Sequence, residues 1–473
     1  MAGNFKKLFA QTDMTVGRPW EKIVIFTIPM LIGNIAQQLY NTVDSIVVGK
    51  YVGDNALAAV GSASPILNLL LVLFIGISMG TSIMVSQYFG AKDRENLSKT
   101  IGSTITLTAV ASAIIMVLGA LTIRPLLNLL NTPDSILDWC DSYLMILIMG
   151  IMGVAYYNMF CGILRGLGDS LSALIYLLVA TVINIVLDLW FVAGLKMGVA
   201  GVALATVIAQ MVSAVLCFFK LRKMTDVFDL KVRYLKPNKE NIFTILRLGL
   251  PSGITQAIFS MAMVVVQSLT NSFGEMVIAA NVIIMRVDGF AMMPNFSFGT
   301  AMTTYAGQNV GAREIDRVHK GAKQGTFIAA GTSAVITGLI LIFGKYLMGI
   351  FTNTSELVTL SANMMKILAV GYIAMAVTQS LSGVMRGAGD TMTPMWISMV
   401  TTVLIRVPLA YGIAAITRTP ELPNGRYECI WISLLISWVL GAVLTAVFYR
   451  IGKWKGKGLE QMEKRAASEA GGN

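Results

Sequence analysis

The sequence predicts an all-α membrane protein of twelve transmembrane helices, arranged as two related halves of six. Hydrophobic residues make up 55% of the 473-residue chain and charged residues only 13%, whereas about 25% of residues are charged in soluble domains. Twelve apolar segments are each long enough to cross a bilayer, for which about 20 residues suffice. Polar motifs of the first half also return in the second half at one constant spacing.

The twelve segments are bounded by glycine, proline or charged residues. They lie near residues 20–48, 57–88, 98–122, 137–160, 169–194, 197–219, 242–270, 277–305, 320–344, 357–381, 391–416 and 429–450. The first, second, seventh and eighth exceed a minimal span, so tilt or bending is expected there.

The basic residues predict the orientation in the membrane. If the N-terminus is cytoplasmic, 27 of the 36 Lys and Arg residues lie in the tails and the loops on that side, and six lie opposite. Cytoplasmic loops carry the excess of positive charge. We therefore expect a multi-pass protein of the plasma (inner) membrane with both termini cytoplasmic. This distribution also explains the net charge of +11 without a nucleic-acid partner.

Two polar motifs establish an internal repeat. RGLGDS at 165–170 returns as RGAGDT at 386–391, and QYFGAK at 87–92 returns as QNVGAR at 308–313, so both pairs share one numbering offset. Because six is an even number, both halves enter the membrane from the same side and the repeats are parallel. Transporters built from parallel repeats place their substrate site in a central cavity between the halves. The predicted organisation is a cytoplasmic N-terminal segment 1–19, an N-lobe 20–220, a cytoplasmic linker 221–241, a C-lobe 242–452 and a basic cytoplasmic tail 453–473.

Known enzyme motifs are missing from the sequence. It contains neither the GxxxxGK[ST] phosphate loop nor HExxH. Its four cysteines have no CxxC spacing, so buried free thiols are expected. We therefore expect no enzyme activity and no cofactor. In the RGxGD motifs, Asp169 and Asp390 favour helix N-termini, which is a structural role.

The first segment carries a polar stripe. Gln37, Tyr40, Asn41 and Asp44 recur at i, i+3, i+4 and i+7 and share one helical face. A carboxylate inside a membrane helix is costly and usually functional. The alternative is that Asp44 only caps the helix at the outer surface, and this segment alone leaves both interpretations open.

The fifth and sixth segments add oxygen-bearing side chains. Thr181, Asn184 and Asp188 share one face of the fifth, and Thr206 and Gln210 lie one turn apart on the sixth. Carboxylate, amide and hydroxyl oxygens suit Na⁺ or a shared proton. The alternative is a hydrogen-bonded staple between helices.

The repeat favours a functional site over a staple. The offset of the two motifs places Asn184 and Asp188 on Ile405 and Leu409, and Asp44 on Val265. A role required by the fold would be expected in both halves.

The polar residues of the second half are less informative. Arg286, Asp288, Lys366 and Arg406 could line the cavity or lie near an interface, and the sequence leaves both open. We take as supporting or cavity residues Gln37, Tyr40, Asn41, Asn158, Gln210 and Gln256.

With these residues in view, the chain resembles the multidrug and toxic compound extrusion (MATE) family. The resemblance covers about residues 29–452, and its pattern is closest to the DNA-damage-inducible (DinF-like) branch. It is carried by the repeat and by the following motifs: YNTVD at 40–44, GDNALAAVG at 53–61, QYFGAKD, RGLGDS, NIVLD at 184–188, QNVGA and RGAGD.

The resemblance implies a secondary antiporter that exports amphipathic, often cationic organic compounds in exchange for H⁺ or Na⁺ by alternating access. It also implies a cation-coupling site in the N-lobe and a bending proline, Pro29. The coupling residues that it implies, which would also hold a Na⁺ ion, are Asp44, Asn184, Asp188 and Thr206. The other family pattern has an acid in the seventh helix, where this sequence has Gln256, so a C-lobe cation site is disfavoured.

Two other functions are alternatives to multidrug efflux. One is a lipid-linked oligosaccharide flippase of the same superfamily, and the other is a membrane scaffold without transport. The expected partners are small organic substrates and the lipid bilayer, without nucleic acid or an obligate protein partner.

Overall fold

The computed structural model describes residues 12–129, 132–455, 457 and 460. The start of the predicted N-terminal segment, up to residue 11, and most of the predicted basic tail lie outside this part of the chain. The described residues fold into helices joined by short loops, which confirms the all-α prediction.

The first half contains seven α-helices and a π-helical turn. They are α1 (Pro19–Tyr51), α2 (Asp54–Gly90), α3 (Arg94–Leu129), α4 (Asp134–Met149), α5 (Ile151–Gly166), α6 (Ser170–Asp188) with the π-turn Leu189–Gly194, and α7 (Gly198–Arg222). A short 3₁₀-helix, Val232–Leu235, follows in the linker.

The second half repeats this order with one additional interruption. Its helices are α8 (Lys239–Asn271), α9 (Glu275–Gly311), α10 (Ile315–Gly349), α11 (Ser355–Ala369), α12 (Gly371–Gly387), α13 (Met392–Met399) with the π-helix Val400–Arg406, α14 (Val407–Ile416) and α15 (Cys429–Ile451).

The described helices account for the twelve predicted spans. Ten helices are long and apolar enough to cross a membrane, and α4–α5 and α11–α12 add two more when each bent pair is counted as one span. The chain is thus a multi-pass membrane protein. The third and ninth spans are also long, with 36 and 35 residues. The sequence indicated extra length only for the first, second, seventh and eighth spans.

The fourth and tenth spans were predicted as single helices, and both are broken. α4 and α5 meet at 52°, and α11 and α12 meet at 42°. A Cβ atom added at Gly150 would overlap the Val207 side chain, and one at Gly371 would lie 2.6 Å from Trp438 Cε3. A neighbouring side chain therefore fills the space beside each break. The two glycines occupy equivalent positions of the repeat.

Close glycine contacts also repeat between the halves. A Cβ at Gly162 would lie 2.8 Å from the Ser78 carbonyl oxygen, and one at Gly383 would overlap the Gly299 carbonyl oxygen. Small residues let membrane helices pack this closely. A second set of contacts shows the same offset: Gly166 with Ser82, and Gly387 with Thr303. The packing therefore confirms the two-repeat fold.

The RGxGD motifs cap helices, as the sequence predicts. Asp169 Oδ1 accepts a hydrogen bond from the Ser172 amide at 2.9 Å, at the start of α6. Lys220, at the end of α7, pairs with the same carboxylate at 3.4 Å. Asp390 accepts equivalently from the Thr393 amide at 3.3 Å. A side-chain acceptor at this position satisfies an otherwise unpaired helix amide.

The chain divides into two compact units. The first contains Ile28–Gly253, and the second contains Met14–Thr27 together with Ile254 onwards. These limits differ from the predicted lobes, because the beginning of α8 packs within the first unit. A Cβ at Gly80 would overlap the Ile245 carbonyl oxygen, and one at Gly249 would overlap the Gly76 carbonyl oxygen.

The segment before α1 is held within the second unit. The Met14 amide donates to Gln308 Oε1 at 2.9 Å. Its carbonyl oxygen accepts from Asn309 Nδ2 and Arg317 Nη2, both at 3.2 Å. The glutamine and asparagine of the repeated QNVGA motif therefore fix the entry to the first helix.

Each unit has its own apolar core, in which buried side chains from several helices pack together. In the first unit, buried residues such as Phe160, Ile163 and Leu164 form the core, and in the second, Tyr372, Trp431 and Trp438 do so. All four cysteines are buried and free, as predicted.

The glycine contacts predict opposite effects of two Gly→Ala changes. Gly383→Ala should lower the free energy of unfolding by about 1–3 kcal/mol, because the added methyl group meets a backbone oxygen. Gly331→Ala should be neutral or stabilising by up to about 1 kcal/mol, because its site is open and alanine favours helix. Thermal unfolding in detergent measures both variants. Equal melting temperatures would contradict the packing described for the repeat.

Candidate functional site

Helix α1 brings two polar residues of its stripe into the interior of the first unit. Tyr40 is buried, and Asp44 lies one turn further along the same face. The Tyr40 hydroxyl donates to Thr206 Oγ1 at 3.2 Å and so connects α1 to α7.

Helix α6 contributes an amide and a second carboxylate. Asn184 and Asp188 are both fully buried, one turn apart. Asn184 Nδ2 donates to Thr206 Oγ1 at 3.4 Å. The hydroxyl of Thr206 is therefore the shared acceptor that connects α1, α6 and α7.

The helix changes its geometry directly after Asp188. The π-turn Leu189–Gly194 begins at the next residue, and π-turns within helices are frequent at functional sites. Gly201 allows α7 to approach this turn, since a Cβ there would lie 3.1 Å from Phe191 Cβ. A small residue therefore permits close helix packing at the turn that follows Asp188.

The two carboxyl groups face each other. Asp44 and Asp188 lie within hydrogen-bonding distance of one another. Both oxygens of Asp188 and Oδ1 of Asp44 are buried, and no donor among the described residues bonds to them. Two ionised carboxylates can only accept hydrogen bonds. A proton shared between them, or a cation, would therefore supply the interaction that the surrounding side chains do not.

Two amide oxygens on α6 and α7 are also left without a donor. Asn184 Oδ1 and Gln210 Oε1 are buried without a hydrogen-bond partner in the described part of the chain. A buried acceptor that lacks a donor costs about 1–3 kcal/mol. Oxygen atoms are the ligands of hard cations, so the residues present fit Na⁺ as well as a proton. The described residues contain no cluster of three or more His, Cys, Asp or Glu side chains that could hold a metal.

Tyr143 is a site residue that the sequence analysis missed. It lies on α4, is buried, and is close enough to interact electrostatically with Asp44, Asp188 and Tyr40. The signal in the sequence is weak, because one tyrosine in the apolar run of a membrane helix is ordinary. Its hydroxyl is a second phenolic group within electrostatic range of the carboxyl pair.

The other predicted site residues lie outside this cluster or at its edge. Gln37 Nε2 donates to Asn41 Oδ1 at 3.5 Å along the exposed part of α1. Asn158 Nδ2 donates to the Val154 carbonyl of its own helix at 2.8 Å. Gln256 is exposed and belongs to the second unit.

Pro29 lies inside α1, which continues through it as a single helix. It is close to Thr27, the point where the chain passes from the second compact unit to the first. Proline supplies no amide hydrogen to the helix at this position.

The second unit contains a half-buried acid, Asp288, whose surroundings differ from those of the Asp44–Asp188 pair. The Tyr372 hydroxyl donates to Asp288 Oδ1 at 2.9 Å, and the Arg406 guanidinium interacts electrostatically with the same carboxyl. This carboxylate therefore has a donor and a compensating positive charge. The Asp44–Asp188 pair has neither among the described residues.

Comparison with known proteins identifies the family. The MatE profile matches residues 29–190 and again residues 251–412. The two matches cover more than half of the chain and begin in the corresponding region of each repeat. The chain belongs to the MatE family.

Curated relatives of this MATE protein align along almost its full length. It is 29% identical over 450 residues to the probable multidrug resistance protein YoeA of Bacillus subtilis, covering 94% of this chain and 96% of the relative. It is 25% identical over 440 residues to the DNA damage-inducible protein F of Escherichia coli, covering 90% and 92%. The resemblance to the DinF-like branch therefore extends across both repeats.

A solved MATE structure shares the fold. It is described as the outward-facing conformation of a multidrug resistance MATE family transporter, and it superposes with a TM-score of 0.86 at 25% identity. The alignment covers 93% of this chain and 98% of that one. The protein is thus a membrane transporter of the MATE multidrug efflux family.

The shared role of Thr206 predicts a specific loss of stability. Thr206→Val removes the acceptor of both Tyr40 and Asn184 and leaves two buried donors, so the free energy of unfolding should fall by about 1–3 kcal/mol. Thr206→Ser keeps the hydroxyl and should recover most of this loss. Thermal unfolding in detergent compares the two variants. Equal destabilisation by both would show that the hydroxyl does not connect the three helices.

Proposed function

We propose that this MATE protein is a secondary antiporter that exports amphipathic, cationic organic compounds in exchange for H⁺ or Na⁺. The observation that carries the proposal is the pair of facing carboxyls, Asp44 and Asp188, to whose buried oxygens no donor of the described residues bonds. Binding a cation is more favourable for such buried oxygens than remaining unpaired. The coupling ion is cargo of this cycle and not a resident cofactor.

The repulsion between the two carboxylates explains why the site would take up H⁺ or Na⁺ from outside. Two like charges close together in a medium of low dielectric constant repel strongly, and burial raises the cost of each charge. A proton or Na⁺ entering from outside relieves both costs. The cation-bound and cation-free sites therefore stabilise different arrangements of the residues that surround them. Transport requires only that the two conformations differ in cation affinity.

Helix α1 can carry this change away from the site. Asp44 and Tyr40 lie on this helix, and the Tyr40 hydroxyl connects it to Thr206 by a hydrogen bond. Pro29, nearer the start of the same helix, interrupts its ladder of backbone hydrogen bonds. We propose that neutralising the carboxyl pair favours a bent α1, with Pro29 as the hinge. In this cycle, bending expels substrate outward, and release of the cation restores the inward-facing state.

The negative charge of the Asp44–Asp188 pair also favours a cationic substrate. The unpaired negative charge of the cation-free site attracts a positively charged compound, and the entering H⁺ or Na⁺ removes that attraction. The names of the curated relatives as multidrug resistance proteins agree with a range of organic substrates. In this proposal the protein resides in the plasma membrane with both termini cytoplasmic.

The direct test is gradient-driven efflux from proteoliposomes. The purified protein is reconstituted, a cationic amphipathic dye is loaded, and a pH gradient or a Na⁺ gradient is imposed separately. We expect gradient-driven dye transport by the natural protein. Dye efflux by Asp44→Asn and by Asp188→Asn should each fall to the rate of protein-free liposomes, because the coupling cation loses one of the two carboxylates that bind it.

The matched control is Asp288→Asn, which removes a half-buried carboxylate from the second unit. That acid is already compensated by Tyr372 and Arg406, so gradient dependence should remain. Normal coupled efflux by both first-unit variants would overturn the proposed site. An ionophore that collapses the gradient should abolish efflux, whereas a scaffold would show no efflux at all. Transbilayer movement of a lipid-linked oligosaccharide in the same vesicles, without dye efflux, would favour the flippase.

A further inference from the structure

The linker between the two halves is anchored to the start of α3. Arg94 pairs with Asp229 at 2.9 Å, and the Asp229 amide donates to Ser98 Oγ at 2.8 Å. The hydrogen bond from Arg94, together with the nearby Lys231 and Arg233, holds the pKa of Asp229 below its ordinary value. Asp229 therefore stays ionised at neutral pH, and the ion pair persists.

A second set of contacts anchors the linker further along α3. Thr106 Oγ1 donates to the Leu235 carbonyl at 2.6 Å, and the Asn238 amide donates to Ser103 Oγ at 3.3 Å. Gly102 permits this approach, since a Cβ there would overlap the Tyr234 carbonyl oxygen. The linker is therefore a built part of the first unit.

The anchored linker and α3 line an open basic pocket of about 640 Å³. Three cationic side chains, Lys99, Arg233 and Lys236, line it with one acid, Glu95. Glu95 pairs with Lys99 at 3.2 Å. The Arg233 guanidinium stacks over the Tyr234 ring at 4.6 Å from its centroid. Stacking holds the charged group in place, and guanidinium groups bind phosphate through two parallel hydrogen bonds.

Apolar side chains stand exposed on both sides of this basic segment. Val232, directly before Arg233, is 83% exposed, and Phe243, one turn into α8, is 67% exposed. Exposed apolar residues beside basic ones are typical of segments that lie at a membrane surface. The pocket itself opens at the beginning of α3, a helix long and apolar enough to span the membrane.

We propose that this pocket binds the phosphate headgroup of an anionic phospholipid of the cytoplasmic leaflet. The basic side chains contact the phosphate, and the exposed Val232 and Phe243 lie among the acyl chains. Basic pockets at the cytoplasmic ends of transmembrane helices bind such headgroups. The leaflet follows from the orientation proposed above, whereas the headgroup chemistry follows from the pocket alone. A soluble phosphate would use the same cations but would gain nothing from the apolar residues.

The test measures lipid binding to the full-length protein in nanodiscs of zwitterionic lipid. A fluorescent phosphatidylglycerol is titrated, and energy transfer from the protein's tryptophans reports binding. Arg233→Gln with Lys236→Gln should weaken the binding by about tenfold or more, since each cation near the surface contributes about 1 kcal/mol. Glu95→Gln should strengthen binding, because it removes the one acid that lines the pocket.

The matched control is Lys320→Gln with Lys323→Gln. Lys320 is the repeat equivalent of Lys99, so this variant removes two charges from the corresponding helix of the second half. It should keep the affinity of the natural protein. Equal weakening in both double variants would show general attraction to basic residues and overturn the pocket. Competition by soluble glycerol phosphate as strong as that by the lipid would show that the membrane lipid is not the ligand.

Discussion

The constraint on which the first unit depends is that Asp44 and Asp188 face each other in its interior without a donor from the described residues. Burying even one uncompensated carboxylate is costly, and a second one nearby increases the cost. Thr206 positions the helices around the pair by accepting from both Tyr40 and Asn184. The surrounding structure therefore holds two uncompensated carboxyls together, and this is the arrangement on which the proposed cation coupling rests.

The two repeats separate the scaffold from the chemistry. Both halves keep the glycine contacts between helices, the broken fourth span of each half, and the aspartate cap of the RGxGD motif. The facing acids belong to the first half. In the second half, Tyr372 and Arg406 compensate the charge of Asp288, which is half-buried. The two halves therefore share the packing that the fold needs and differ in their polar interiors.

The sequence predicted those features of the fold and the site that appear as a periodic, repeated or unusual pattern of residues. Apolar length indicated the spans, the constant offset between motifs indicated the repeat, and Asp44 with Asp188 stood out because acids are rare in membrane helices. The break at Gly150 was not predictable, because it depends on Val207 packing against that glycine. Tyr143 was missed for a similar reason, since only the packing of α4 brings it within electrostatic range of the carboxyl pair. Features that arise from contacts between distant segments leave little trace in a single sequence.

The most direct measurement of the central claim is infrared difference spectroscopy of the purified protein, which detects protonated carboxyl groups. Spectra would be recorded as pH is lowered, with and without Na⁺, for the natural protein and for Asp44→Asn and Asp188→Asn. The account predicts a protonated-carboxyl band in the natural protein that shifts or disappears in both variants. If Na⁺ shares the site, Na⁺ should suppress this band. A band unchanged in both variants would show that the carboxyl pair does not hold the coupling cation.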